Sequence, residues 1–395
     1  MGVLSQKFDK FLENSSMIRR MFEAGIELRK KHGVENVFDF SLGNPDLPPP
    51  AEVADGLREL AGKVHEPFSF GYMPNAGFPW ALELMAGYLA KEQGVKVEPD
   101  QVMLSCGAAG ALNAFFKTIL NPGDEVLCIA PYFVEYGFYI DNHDGVLKSV
   151  PSKKDFSLDL AAVEAAFTPK TRAIIVNSPN NPTGRIYSKA ELIALANILR
   201  KKSVEYGRSI FLASDEPYRF LAYDEAEVPS VLPLYEYSVV LGSFAKNLSL
   251  PGERIGYLLV SPDMPERERL MAGAIMANRI LGYVNPPLVG QYILKYALGK
   301  NVDLGIYAAR REAMAEVLSG AGYEFTMPQG AFYFFPKAPG GDDKKFIKRL
   351  SQELVLAVPG SAFGRAGHFR LAFCVNEDTI RRSADGFKRA CEAFK

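Results

Sequence analysis

The run SFAKNLSLPGERIGY, residues 243–257, seats one lysine, Lys246, in a serine-flanked and mostly apolar setting, with Arg254 eight positions on. Lysine ammonium groups normally stay in water, so Lys246 is either a snorkelling surface residue or an amine held for its chemistry. Other polar residues close strand-like runs. AIIVNSP leads into NNPTG and presents Asn181, and IFLASDEPY ends in Asp215 with Tyr218 three residues later. A buried carboxylate needs a cationic or hydrogen-bonding partner, and α/β sheets place ligands at strand ends. SVVLGSF ends at Ser243. QVMLSC runs into GAAGAL, a glycine turn opening a helix. The free N–H groups of Ala108 and Ala109 there form either an anion site backed by the helix dipole or only a tight turn. PYFVEY puts Phe133 at another strand end, as an aromatic plate or as core packing. The four histidines (32, 65, 143, 368) have no metal-ligand spacing. Walker A and GxGxxG are missing, so metal and nucleotide chemistry lack support.

These residues need a scaffold that brings strand ends together. At 395 residues the chain suggests two domains. From about residue 100, QVMLSC, EVLCIAP, AIIVNSP, SIFLASDEP, SVVLGSF and RIGYLLV read as strands. Their near-continuous apolar character suggests a mostly parallel sheet covered on both faces. GAAGALNAFFKTIL and SKAELIALANILRKKSVEYG show helical periodicity between them. After about residue 290 the pattern changes to a long helix (DLGIYAARREAMAEVLSGAG), short strands (YEF, GAFYFFP, LVLAVPG, HFRLAF) and one final charged helix (EDTIRRSADGFKRACEAF). This second part reads as a smaller α+β domain. PDLPPP, residues 45–50, reads as a linker.

A net charge of -1 gives no basic nucleic-acid footprint. No apolar run of about 18 residues suggests a membrane span, and the first residues lack a signal-peptide core. The four cysteines (106, 128, 374, 391) form no CxxC pair and read as reduced thiols of a cytoplasmic protein.

In order, the set is anion cradle, aromatic plate, Asn, Asp-x-x-Tyr, Ser-x-x-Lys and Arg. It resembles the class I aminotransferases, the fold-type I pyridoxal-phosphate enzymes, from about SLGNPD at 41 to FRLAF at 373. NNPTG, DEPY, SFAK and the R-I-G ending at 256 are its most specific parts. The resemblance implies a large cofactor-binding domain of residues 46–289 and a small domain of residues 1–45 and 290–395. It implies pyridoxal 5'-phosphate on a Lys246 Schiff base, with Asp215 on the pyridine nitrogen and Asn181 and Tyr218 on the phenolic oxygen. Phe133 would stack on the ring, and Ala108, Ala109, Ser243 and Arg254 would hold the phosphate.

Tyr72 in YMPNAG matches the tyrosine that reaches the phosphate across a homodimer interface; the alternative is a loop tyrosine packing locally. Arg370 in HFRLAF matches the arginine that binds the substrate α-carboxylate, which Gly43 would let the backbone approach. An arginine inside an apolar strand costs too much to bury unpaired. Arg279 in RILGYVNPP resembles the RPMYSNPP stretch of aspartate aminotransferases, with one extra residue before Asn285. It is either the reader of a distal carboxylate or a solvated helix arginine. The implied reaction is transfer of an amino group from an L-amino acid, aspartate first, to a 2-oxo acid such as 2-oxoglutarate, by a ping-pong route. Alternatives on the same scaffold are alanine, aromatic or broad-range donors, or C–S β-lyase chemistry. A non-catalytic regulator would need an added segment before residue 41, for which this chain has no room.

Overall fold

The six apolar runs form one sheet in the computed structural model of the chain, which describes residues 3–13 and 17–394 and, for residues 10, 13 and 17–24, no side chains. Residues 1–2, 14–16 and 395 of the expected small domain lie outside the described residues. With a seventh strand the sheet comprises β1 (Val102–Cys106), β2 (Glu125–Ala130), β3 (Val146–Pro151), β4 (Thr171–Asn177), β5 (Phe211–Asp215), β6 (Ser238–Ser243) and β7 (Ile255–Val260). Their order is β1-β7-β6-β5-β4-β2-β3. All neighbours are parallel except β7, which runs antiparallel to β1 and β6.

Successive side chains of a strand point to opposite faces, and both faces are covered. Leu127, Ile129, Ile174, Val176 and Leu212 enter one core. Val126, Cys128, Ala173, Ile175 and Ala213 enter the other. That is why these strands read as unbroken apolar runs. β3 is the strand the sequence reading missed: it is an edge strand bonded only to β2, largely exposed, and lacks such a run.

Local signals fix the helices. In Lys189–Tyr206, Ser188 and Glu191 form a reciprocal capping box, and Gly207 ends the helix at φ 61°.

A second core gathers Phe40, Met314, Leu318, Phe346, Phe369, Leu371 and Phe387. Its sheet has β8 (Tyr333–Phe334), β9 (Val358–Pro359) and β10 (Phe369–Ala372) in the antiparallel order β9-β10-β8. Three sequence expectations need correction here. YEF (323–325) is not a strand: after Gly322 closes a helix at φ 82°, Tyr323 inserts its ring among Phe346, Phe369 and Phe387. LVLAVPG is two strands, because Val355–Leu356 pairs with Phe38–Asp39 and only Val358–Pro359 joins β10. The final charged helix is two, Glu377–Arg382 and Ala384–Glu392. The Ser383 hydroxyl between them donates to Ile380 O at 2.6 Å, competing with the helical ladder.

Helix Leu288–Ala297 places Ile293, Leu294 and Ala297 in the first core, against helix Val53–Gly62. The 289/290 division therefore falls inside a helix. No helix among the described residues is long and apolar enough to cross a membrane.

Candidate active site

Because Cys106 pairs with Ile255 and Ser243 with Gly256, the start of antiparallel β7 lies beside the carboxyl ends of β1 and β6. A cavity of about 380 Å³ opens at that edge, with Leu42, Gly43, Tyr333 and Arg370 on its far wall.

One end is built for an anion. Helix Gly107–Ile119 starts at Cys106 without a side-chain cap, and Ala108 and Ala109 line the cavity. Gly256 allows this approach: a Cβ there would lie 2.5 Å from Gly107 C and 2.7 Å from Ala108 N. Arg254, held at φ 59°, brings its guanidinium beside Gly107, and Ser243 completes the rim. Arg254 donates to Pro251 O at 3.0 Å and makes no ion pair among the described residues. Two open N–H groups and an unpaired guanidinium suit a phosphate or similar dianion.

The floor carries Asp215, at the end of β5. The Tyr136 hydroxyl donates to its Oδ2, while its Oδ1 is buried with no partner. Burial pushes the carboxyl up to about 7, Tyr136 opposes this, and neighbouring Glu216 adds to it. A cation placed at Oδ1 would restore the carboxylate form. Lys246, in the turn after β6, donates from Nζ to Gly43 O at 2.5 Å, with Nζ 5.4 Å from the Phe332 ring centroid. Its ammonium is lowered to about 8, chiefly by burial, with Cys374 opposing and Arg370 and Arg254 contributing to the fall. Near neutrality the amine is thus free of its proton part of the time, as a nucleophile or base must be.

Arg370 on β10 is buried without a carboxylate. Nη1 donates to Asn181 Oδ1 at 3.1 Å, Nη2 to Ser41 O at 2.6 Å, and Nε has no partner. Its guanidinium lies 4.8 Å from the Tyr333 ring centroid and 4.9 Å from that of Phe363. Burial lowers its pKa, and an arriving carboxylate would relieve that penalty.

Gly43, Ala108, Ala109, Phe133, Asn181 and Asp215 all line this one cavity, together with Tyr218, Ser243, Lys246, Arg254 and Arg370. Tyr72 and Arg279 do not: Tyr72 is 91% exposed, so its ring does not pack locally, and Arg279 is exposed near the end of helix Arg267–Ile280.

The sequence reading missed three residues. Tyr136 grips Asp215. Asn177 joins two turns, donating to Asp215 O at 2.8 Å and accepting from Asn181 N at 2.7 Å. Tyr333 shares a 2.7 Å hydroxyl contact with Tyr218 and faces Gly43, where a Cβ would lie 2.1 Å from its oxygen. The available signal was a polar residue within a fully buried strand end: Asn in AIIVNSP and Tyr in GAFYFFP.

A family model described as aminotransferase class I and II matches residues 35–387. A probable aspartate/prephenate aminotransferase of Aquifex aeolicus is 34% identical over 386 residues, covering 93% of each chain. The aspartate/prephenate aminotransferase of Thermus thermophilus is 32% identical over 380 residues, 92% of this chain and 93% of its own. Among solved structures, an aminotransferase from Eubacterium rectale has a TM-score of 0.96 at 35% identity, covering 100% of both chains.

Proposed function

The chain belongs to the class I and II aminotransferases, and from that premise we propose a pyridoxal 5'-phosphate enzyme that moves the amino group of an L-amino acid, aspartate foremost, to a 2-oxo acid such as 2-oxoglutarate. The observation carrying the cofactor is one cavity holding a partnerless Asp215 Oδ1, a buried amine at Lys246 and an unpaired anion cradle at Ala108 and Arg254. Those groups fit, in turn, a pyridinium, an aldehyde and a phosphate. When bound, that cofactor supplies a carbon that accepts amines and a ring that draws electrons from the substrate Cα.

The chain's own residues do the rest. Asp215 Oδ1 would hold the proton on the ring nitrogen. Asn181 and Tyr218 would hydrogen-bond the phenolic oxygen, Phe133 would flank the ring, and Ser243 would assist the cradle. Lys246 Nζ would take the substrate Cα proton as base and afterwards give it up again as acid. Arg370 holds the α-carboxylate as a bidentate partner, with the Gly43 backbone beside it. One such arginine serves both substrates, so donor and acceptor take turns in the site, which is a ping-pong order.

The aspartate preference rests on the names of the relatives, with Arg279 of a second subunit as reader of the distal carboxylate. A second reading, an alanine or aromatic donor, is favoured by Ala109 and Leu112 on the cavity wall and by Glu135, whose carboxyl burial raises. The reading includes a cytoplasmic homodimer in which Tyr72 serves the neighbouring phosphate. Its support is the exposed apolar set Phe68, Phe70, Tyr72, Met276 and Ile280, on two segments joined by Asn278 Nδ2 donating to Asn75 O at 3.5 Å. We place the large domain from residue 46 to about the end of helix Leu288–Ala297, with the remainder as the small one.

Purified protein incubated with the cofactor and then desalted tests this. Wild type is expected to stay yellow and Lys246→Ala to lose its colour. A wild type that remains colourless overturns the reading, and a panel of amino donors against 2-oxoglutarate ranks aspartate against the rest.

A further inference from the structure

A second cavity, of about 340 Å³, opens where the segment after β3 meets the small sheet. Phe335 and Phe363 separate it from the active site. Phe335 stacks on His368, with centroids 5.3 Å apart and planes at 8°, and meets Phe363 edge-on at 6.1 Å. Phe363 in turn lies 4.9 Å from the Arg370 guanidinium. A molecule in one cavity therefore does not occupy the other.

The walls of this recess combine two chemistries. Phe156, Phe325, Phe335 and the His368 ring make it aromatic. Lys154, Lys337 and Arg365 make it cationic, against a single carboxylate, Glu324. Glu324 is already paired with Lys337. Arg365 and Lys154 make no ion pair among the described residues, and Arg365 reaches only Ser152 O, at a long 3.5 Å. Solvated surface cations need no recess walled by rings. A pocket of this size with aromatic sides and a few convergent charges has the build of a small-molecule site.

We propose that this recess binds a small aromatic carboxylate, its ring against Phe325 and the His368 ring and its carboxylate on Arg365, with Lys154 alongside. Stacking on the rings and a charge-assisted pair at a half-buried guanidinium give the ligand class.

Phenylacetate is a suitable probe, since it has no amino or oxo group to react. The chain has four histidines, so ring-labelled protein gives four signals, and His368→Gln assigns the one of interest. Phenylacetate is expected to move the His368 signal saturably in wild type and in Arg370→Lys. Arg365→Ala is expected to weaken binding about tenfold; Lys154→Ala, at an exposed position, weakens it severalfold and serves if Arg365→Ala does not fold. Four results would each overturn the proposal: no saturable shift in wild type, undiminished affinity in both variants, acetate binding as tightly as phenylacetate, or loss of the shift in Arg370→Lys.

Discussion

The Tyr136 hydroxyl donates to Oδ2 of Asp215, and the other carboxylate oxygen, Oδ1, is buried facing the cavity without a partner. The protein thus satisfies half of a buried acid and leaves the other half open at the cavity.

That arrangement predicts an inverted pH dependence for the cofactor-free protein. Its carboxyl is pushed up to about 7 by burial, against about 3.9 in an unfolded chain. Between those values the folded chain holds a proton that the unfolded chain has released. Its contribution to stability is therefore full below about pH 4 and lost as pH rises through about 7. In denaturant unfolding from pH 4 to 8, wild type should lose up to about 4 kcal/mol relative to Asp215→Asn, which cannot titrate. Tyr136→Phe removes the group that opposes the shift, so it should extend the loss to higher pH.

Arg370→Lys keeps the charge but not the fork that donates to Ser41 O and Asn181 Oδ1. For the amino donor, kcat/KM should fall on the order of a hundredfold. Cofactor affinity should change far less, because the residue stands across the cavity from the anion cradle and bears on the cofactor only through Asn181 and Lys246. Steady-state kinetics beside a cofactor titration separates the two effects.

Gly43 is glycine because Tyr333 occupies the space of its side chain, with a Cβ placed 2.1 Å from the phenol oxygen and 2.9 Å from Cζ. Gly43→Ala should cost about 1–3 kcal/mol by overpacking. Tyr333→Phe in the same chain should recover part of that cost, since the nearest clashing atom is gone. A double-mutant cycle of melting or denaturant midpoints measures the coupling.

Arg279 is exposed and outside its own chain's cavity. If it reads a distal carboxylate in the neighbouring site, Arg279→Ala should lower kcat/KM for aspartate on the order of a hundredfold and leave alanine unchanged. Retained dicarboxylate preference would assign the residue to solvent.

The strand ends were legible because each chemical residue follows an apolar run whose length fixes where the strand stops. Asp215 after SIFLAS and Ser243 after SVVLG are of this kind, and both line the cavity. β3 was not legible, because an edge strand needs no apolar run. Tyr136 and Tyr333 were missed for another reason: each lies in an aromatic-rich stretch, and only the fold shows that one hydroxyl meets Asp215 and the other Tyr218. YEF looks like a strand because two aromatic residues flank a polar one, yet Tyr323 is buried by ring packing in a loop.

If the chain is the homodimer proposed above, Tyr72 should serve the neighbouring site, and mixed dimers test this. Its ring is 91% exposed and does not reach the cavity of its own chain. Take two impaired proteins, Lys246→Ala and Tyr72→Ala, and unfold and reassociate them in equal amounts. Half of a homodimeric population then carries one chain of each kind. If Tyr72 acts across the interface, the site on the Tyr72→Ala chain has its own Lys246 and an intact Tyr72 from its neighbour. The other site carries both lesions. The mixture should therefore recover about a quarter of wild-type activity per site. If Tyr72 acts only within its own chain, each site of the mixed dimer keeps one lesion, and the mixture recovers nothing beyond the average of its parents.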